Sequence, residues 1–252
     1  MKKLLLKNCI NALIAVAFLL GAWVIAWAVI GNELLVPAPW KCFGVLGRLC
    51  RTKGFWTAFW ATFSRTLTAF GISFVLAAIF ALLAYLAPTF AQIFSPIVTA
   101  LRSIPVLAVL LILWLILGAE SAPIAVAFLS LFPMLYTAVL AALSGVDEDL
   151  IVMSRVYNVP LKKRIFSLYL PAAAPYVLKE SGAALAFSLK LVVSAEVVAR
   201  TAKSLGGMMS DAKADVWGVP TLFALVVATF LTAVVLETVI ALIARTVERR
   251  VK

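Results

Sequence analysis

Five stretches of this chain run without a charged residue: 25 positions between Lys7 and Glu33, 36 between Arg65 and Arg102, 17 between Arg102 and Glu120, 26 between Glu120 and Asp147, and 21 between Asp215 and Glu237. Each is near or above the roughly 18 to 20 apolar residues that carry a helix across a bilayer. Composition agrees: 65% of residues are hydrophobic and 13% charged, against about 45 to 50% and about 25% in soluble domains. The expected class is all-α, a polytopic membrane protein in which residues 1–252 form a single transmembrane domain of about six helices. The net charge of +11 sits in short stretches between the apolar runs, which is a topology signal facing membrane lipid and not a nucleic-acid surface. With no histidine in the chain, a histidine-ligated metal site and a Cys/His nucleophile are excluded.

The first run, 8–32, is longer than the roughly 7 to 15 residues of a signal-peptide core, and Trp23 and Trp27 suit an interfacial belt, so it reads as helix one. Cys9 within it is an apolar filler. Pro88 and Pro96 divide the second run, leaving helix two at 66–87 and a connector. Helix three follows at 103–119, a turn at 118–123 precedes helix four, and helices five and six fall near 181–199 and 216–244. The outer loop, 32–65, holds Phe55, Trp56, Phe59, Trp60 and Phe63 at helical spacing, which predicts an aromatic-faced helix lying in the outer interface. An even number of crossings puts both termini on one side. Thirteen basic residues then fall inside and eight outside, so the termini are expected in the cytoplasm.

The segment 147–171 is far longer than a turn requires and is expected inside. Asp147 can N-cap a short helix with Glu148 and Asp149 in its first turn and Arg155 in its last, and Asn158 stands where a left-handed cap is wanted. Pro160 opens a second short helix, and Lys162, Lys163 and Arg164 face water or lipid phosphate. The first helix carries Val152, Met153, Val156 and Tyr157, apolar side chains that could be buried only against lipid or another protein.

Here the chain resembles the permease family of ATP-binding-cassette (ABC) importers, in its sulfonate, taurine and nitrate branch. That family's cytoplasmic signature is Glu-Ala-Ala, three residues, Gly, nine residues, Ile, one residue, Leu-Pro. Aligned on Leu170 and Pro171, it places Val152, Met153 and Ser154 at Glu-Ala-Ala, Asn158 at Gly and Leu168 at Ile. Other similar stretches are 101–108, Leu113-Trp114 with Gly118, 131–133, Ala195-Glu196 and 204–206, and the resemblance covers about 55–250. It implies a type I ABC importer permease fold, a bacterial inner-membrane location, a pore of two permease copies with a homodimer favoured, an ATPase docked on the coupling loop, and an extracytoplasmic solute-binding protein. The chain has no Gly-x-x-x-x-Gly-Lys-Ser/Thr loop, so it is not itself an enzyme, needs no cofactor, and leaves ATP to the partner subunit.

Candidate residues of the translocation pathway are Lys190, Glu196, Glu237 and Arg102. Ionisable residues inside a membrane are functional candidates by default. For Lys190 a structural pair with Glu196 or Glu237 and a contact to an anionic solute both stand open. Arg102 marks the inner mouth of helix three, with a gate role as the sharper alternative. Gly206 and Gly207 read as a turn or a hinge. Cys42 and Cys50 share the outer loop, where an oxidising compartment permits a disulfide. A secondary transporter working without an ATPase is the alternative function; it would show paired halves with broken helices, and it leaves the two-helix loop without a purpose.

Overall fold

The computed structural model describes residues 2–251, with side chains described for 14–248; Cys9 lies outside the described side chains. Among the described residues every regular element is helical. The order is α1 (Lys2–Ile30), α2 (Pro39–Leu49), α3 (Lys53–Leu86), α4 (Pro88–Ser103), α5 (Val106–Ser144), α6 (Glu148–Val156), α7 (Leu161–Arg164), α8 (Leu170–Ala199), α9 (Leu205–Ala214) and α10 (Val219–Val251), with a π-helical turn at Ile165–Tyr169 joining α7 to α8. Four runs are long and apolar enough to cross a membrane, namely α3, α5, Leu161–Ala199 and most of α10; the apolar part of α1, Ile14–Ile30, is shorter.

The bundle centres on α3, α5 and α8. Along α3, Ala58, Thr62, Thr66, Ala69, Ser73, Ala77, Ala81 and Ala84 recur every three or four residues and are all buried. Small side chains on one stripe let backbones approach, which is how helices associate where no hydrophobic driving force separates them from lipid. Toward the end of the bundle that carries α6, the core is aromatic: Phe80 stacks on Phe94, Phe132 of α5 meets both edge-on, and Tyr136 of α5 packs on Phe94. At the opposite end Phe55 of α3 packs with Leu189 of α8, Leu205 and Met209 of α9, and Leu225 of α10. Helix α1 stands to one side, held where the Trp23 indole donates to the Pro37 carbonyl and stacks on Phe223.

Three expectations need correction. The third crossing is not one helix at 103–119. Gly118 adopts φ 76°, ψ 172°, a region essentially confined to glycine, and it folds α5 back on itself into two arms, 106–117 and 119–144. Val106, Leu110 and Leu113 of the first arm pack with Ala122 and Val126 of the second. The first arm is only about 18 Å long, short of the roughly 30 Å hydrocarbon layer. It meets α4 at Ile104, which is extended because Pro105 follows it. Arg102 therefore sits in the last turn of α4, just before a helix break.

The aromatic segment forms no separate interfacial helix either. Thr52 caps α3, its hydroxyl accepting from Phe55 N, and Phe55 to Phe63 are the first turns of a continuous 34-residue helix. Phe55 is buried while Trp56 and Trp60 stay exposed. The helix that does lie in the 32–65 loop is α2, which buries Pro39 and Cys42 and exposes Trp40 and Phe43. Finally, the second loop helix is not free-standing: from Leu161 the chain runs helically into α8. Pro171 has no N–H for the Ser167 carbonyl, and the π turn, in which Leu170 N donates to Ile165 O, takes up the mismatch ahead of it.

Candidate functional site

Helix α6 is built as its residues dictate. Asp147 Oδ1 accepts from Asp149 N at 3.0 Å, Glu148 and Asp149 face the positive end of the helix dipole, and Arg155 the negative end. Asn158 takes the left-handed conformation, φ 49°, and its N–H returns to Arg155 O. Ile151 alone is buried; Val152, Met153, Val156 and Tyr157 are 51% to 73% exposed. Beside them a cleft of about 340 Å³ runs between Met153 and Tyr157 of α6 and Lys163, Arg164 and Leu168 of the following turn. Of the two motif residues that end the loop, Leu170 is exposed and Pro171 lies in the first turn of α8.

The four charged candidates do not form one site. Glu196 has no exposed surface. Its Oε2 accepts from Thr62 Oγ1 at 2.8 Å and Gly206 N at 3.2 Å, and its Oε1 from Arg65 Nη1 at 3.0 Å. Arg65 also pairs with Glu120 beside the Gly118 reversal, and Thr201 Oγ1 donates to Ala119 O at 2.7 Å. Glu196 is thus a buried carboxylate whose partner is Arg65, not Lys190. Gly206 packs on it: a Cβ there would meet Glu196 Cβ and stand 2.7 Å from Val193 O, so close approach explains that glycine better than a hinge does.

Lys190 is exposed on the face of α8 away from Glu196. Glu237 is exposed on α10, with its carbonyl beside Gly182, eight residues or about 12 Å along α8 from Lys190. Neither Glu196 nor Glu237 pairs with Lys190. Arg102 donates through Nη2 to Pro133 O at 3.3 Å and to Thr137 Oγ1.

Cys42 and Cys50 are both free. They lie eight residues apart along α2 and its C-cap, about 12 Å by helical rise, where a disulfide needs Cα atoms within about 7 Å. Burial pushes the Cys42 thiol up to about 11. The residues that sequence reading missed are Arg65, Thr62 and Glu120; the signal available was the spacing of Thr62, Thr66 and Ala69 on the small-residue stripe, which marks α3 as central.

Comparison with known proteins follows this geometry. The family described as "Binding-protein-dependent transport system inner membrane component" matches residues 73–252. The taurine transport system permease protein TauC of Escherichia coli (strain K12) is 24% identical over 201 residues, 75% of this chain and 71% of that protein. The inward-facing MetNI methionine ABC transporter shares the fold with a TM-score of 0.67 at 20% identity, over 75% of this chain and 94% of that one. An amino acid ABC transporter does so at 0.61 and 16%, over 73% and 90%. With residues 73–252 matched and the helical architecture of these transporters in place, the chain belongs to the inner-membrane component family of binding-protein-dependent transport systems, as a permease subunit of an ABC importer.

Proposed function

We propose that two copies of this permease form the pathway by which a small polar solute crosses the inner membrane, received from an extracytoplasmic binding protein at the α2–α9 end and driven by a separate ATPase docked on α6. The orientation that goes with this reading puts α6 and both termini in the cytoplasm, in keeping with the excess of basic residues expected on that side. The observation that carries it is the design of α6. Both ends of the helix are satisfied internally, so it stands without support from a partner, yet it turns Val152, Met153, Val156 and Tyr157 outward. An apolar patch on a capped, charged-ended helix is what a groove on another protein would cover. A second copy is supported by the exposed Lys190 in the middle of α8, since hydrocarbon accommodates an ammonium only at a cost. The test replaces Val156 and Tyr157 by Asp: the ATPase is expected to be lost from the detergent-purified complex while the permease itself stays folded. Full co-purification together with undiminished transport would overturn the reading.

A further inference from the structure

We infer that the ATPase docked on α6 places one of its own carboxylates in the cleft beside that helix, where Lys163 and Arg164 receive it. The inference rests on the docking reading above and names the chemistry of the partner's contact. Charge is sorted along the 147–171 loop. Its acids, Asp147, Glu148 and Asp149, all stand at the start of α6, where the cap and the positive end of the helix dipole engage them. Val152 occupies the position where the family signature has glutamate, and every charged residue that follows in the loop is basic: Arg155, Lys162, Lys163 and Arg164.

The cleft of about 340 Å³ has Leu150, Met153 and Tyr157 on one side and Lys163, Arg164 and Leu168 on the other, and no acidic residue lines it. Among the described residues no carboxylate pairs with either cation. Lys163 is exposed, whereas Arg164 is half-buried and its Nε is shut off from solvent with no acceptor. A buried donor without a partner is destabilising. A carboxylate is the group that satisfies a guanidinium best, because its two oxygens accept two N–H groups side by side. Met153 and Tyr157 belong both to the exposed patch on α6 and to the wall of the cleft, so a protein that covers the patch also closes the cleft. Closing it over two cations without a counter-charge would bury them unpaired. One acidic side chain on the ATPase, set among apolar neighbours, removes that cost and fixes the register of α6 in its groove. An anionic lipid headgroup could neutralise the same cations, but it would leave the apolar patch uncovered.

The test is zero-length cross-linking of the detergent-purified permease–ATPase complex with a water-soluble carbodiimide. The reagent activates a carboxylate, the Lys163 amine attacks the activated carbon, and an amide forms as the reagent leaves as its urea, so a lysine is joined only to a carboxylate it touches. Peptide mass spectrometry is expected to find Lys163 bonded to an Asp or Glu of the ATPase. Lys163→Gln should remove that cross-link and lower the ATPase recovered with the permease by about 3- to 10-fold, and Lys163→Arg should restore recovery without the cross-link. Changing the ATPase acid so identified to Lys should also lower recovery, and pairing that change with Lys163→Glu should bring it back. An ATPase that is released by Val156→Asp with Tyr157→Asp, yet gives no cross-link to Lys163 in the wild-type complex, overturns this inference and leaves the docking reading standing. Recovery that depends on Lys163 only after phosphatidylglycerol is returned to a delipidated complex gives the cleft to a lipid headgroup and overturns it as well. No ATPase recovered with the wild-type permease overturns both readings.

Discussion

Glu196, a carboxylate with no exposed surface, ties α8 to α3 and α9, and through Arg65 to the α5 reversal, because both of its oxygens are satisfied. Taking away one partner of such a buried pair leaves an uncompensated charge, at a cost of about 3 to 5 kcal/mol. Arg65→Gln should therefore lower the unfolding temperature of the purified complex markedly, and adding Glu196→Gln should recover much of the loss; equal melting of Arg65→Gln and wild type would refute the pairing. Cys42 and Cys50 offer a second check. With its thiol raised to about 11 and only 1% exposed, Cys42 should stay unlabelled by maleimide at pH 8, reacting as pH climbs toward 11 or when the chain is unfolded, while exposed Cys50 labels at once. A mass shift on reduction of the native protein would instead reveal the disulfide. The sequence marks Glu196 as important because a charge inside an apolar run is costly, but it could not name Arg65, 131 positions away: a helix face says which way a side chain points and nothing of which distant helix it meets.

At the scale of elements, α6 was legible almost residue by residue. Its signals are local: an N-capping Asp, acids in the first turn, a base in the last and an Asn able to turn left-handed. Asn158→Val should strain the cap by about 1 to 2 kcal/mol and reduce the ATPase recovered with the permease, whereas Asn158→Gly should leave recovery unchanged; a normal yield with Val would separate the cap from docking. The broken third crossing was less legible. Pro88, Pro105 and Gly118 all announce a stop, but whether two stops bound a loop, a span or half a span depends on what the pieces lie against. Here the Arg102 contacts tie the end of α4 to the second arm of α5.

Taken whole, the molecule is a bundle with two unlike ends, one bearing α6 and the other bearing α2, α9 and the Gly118 reversal. The orientation proposed for it predicts that, in a chain whose own cysteines are replaced by Ala, Lys163→Cys resists an impermeant thiol reagent applied to intact cells while Lys213→Cys reacts; the opposite pattern would invert the bundle and move α6 out of reach of any ATPase. The class of protein and the capped helix α6 were determined by the sequence alone, because each follows from length, charge and hydrogen-bonding groups within about one segment. Only the tertiary structure decided that the aromatic turns belong to α3, that Cys42 and Cys50 lie too far apart to bond, and that Glu196 is buried against Arg65 and not paired with Lys190. Those outcomes depend on which helix faces meet, and meeting is settled by small-residue packing and by the pairing of charges far apart in the chain.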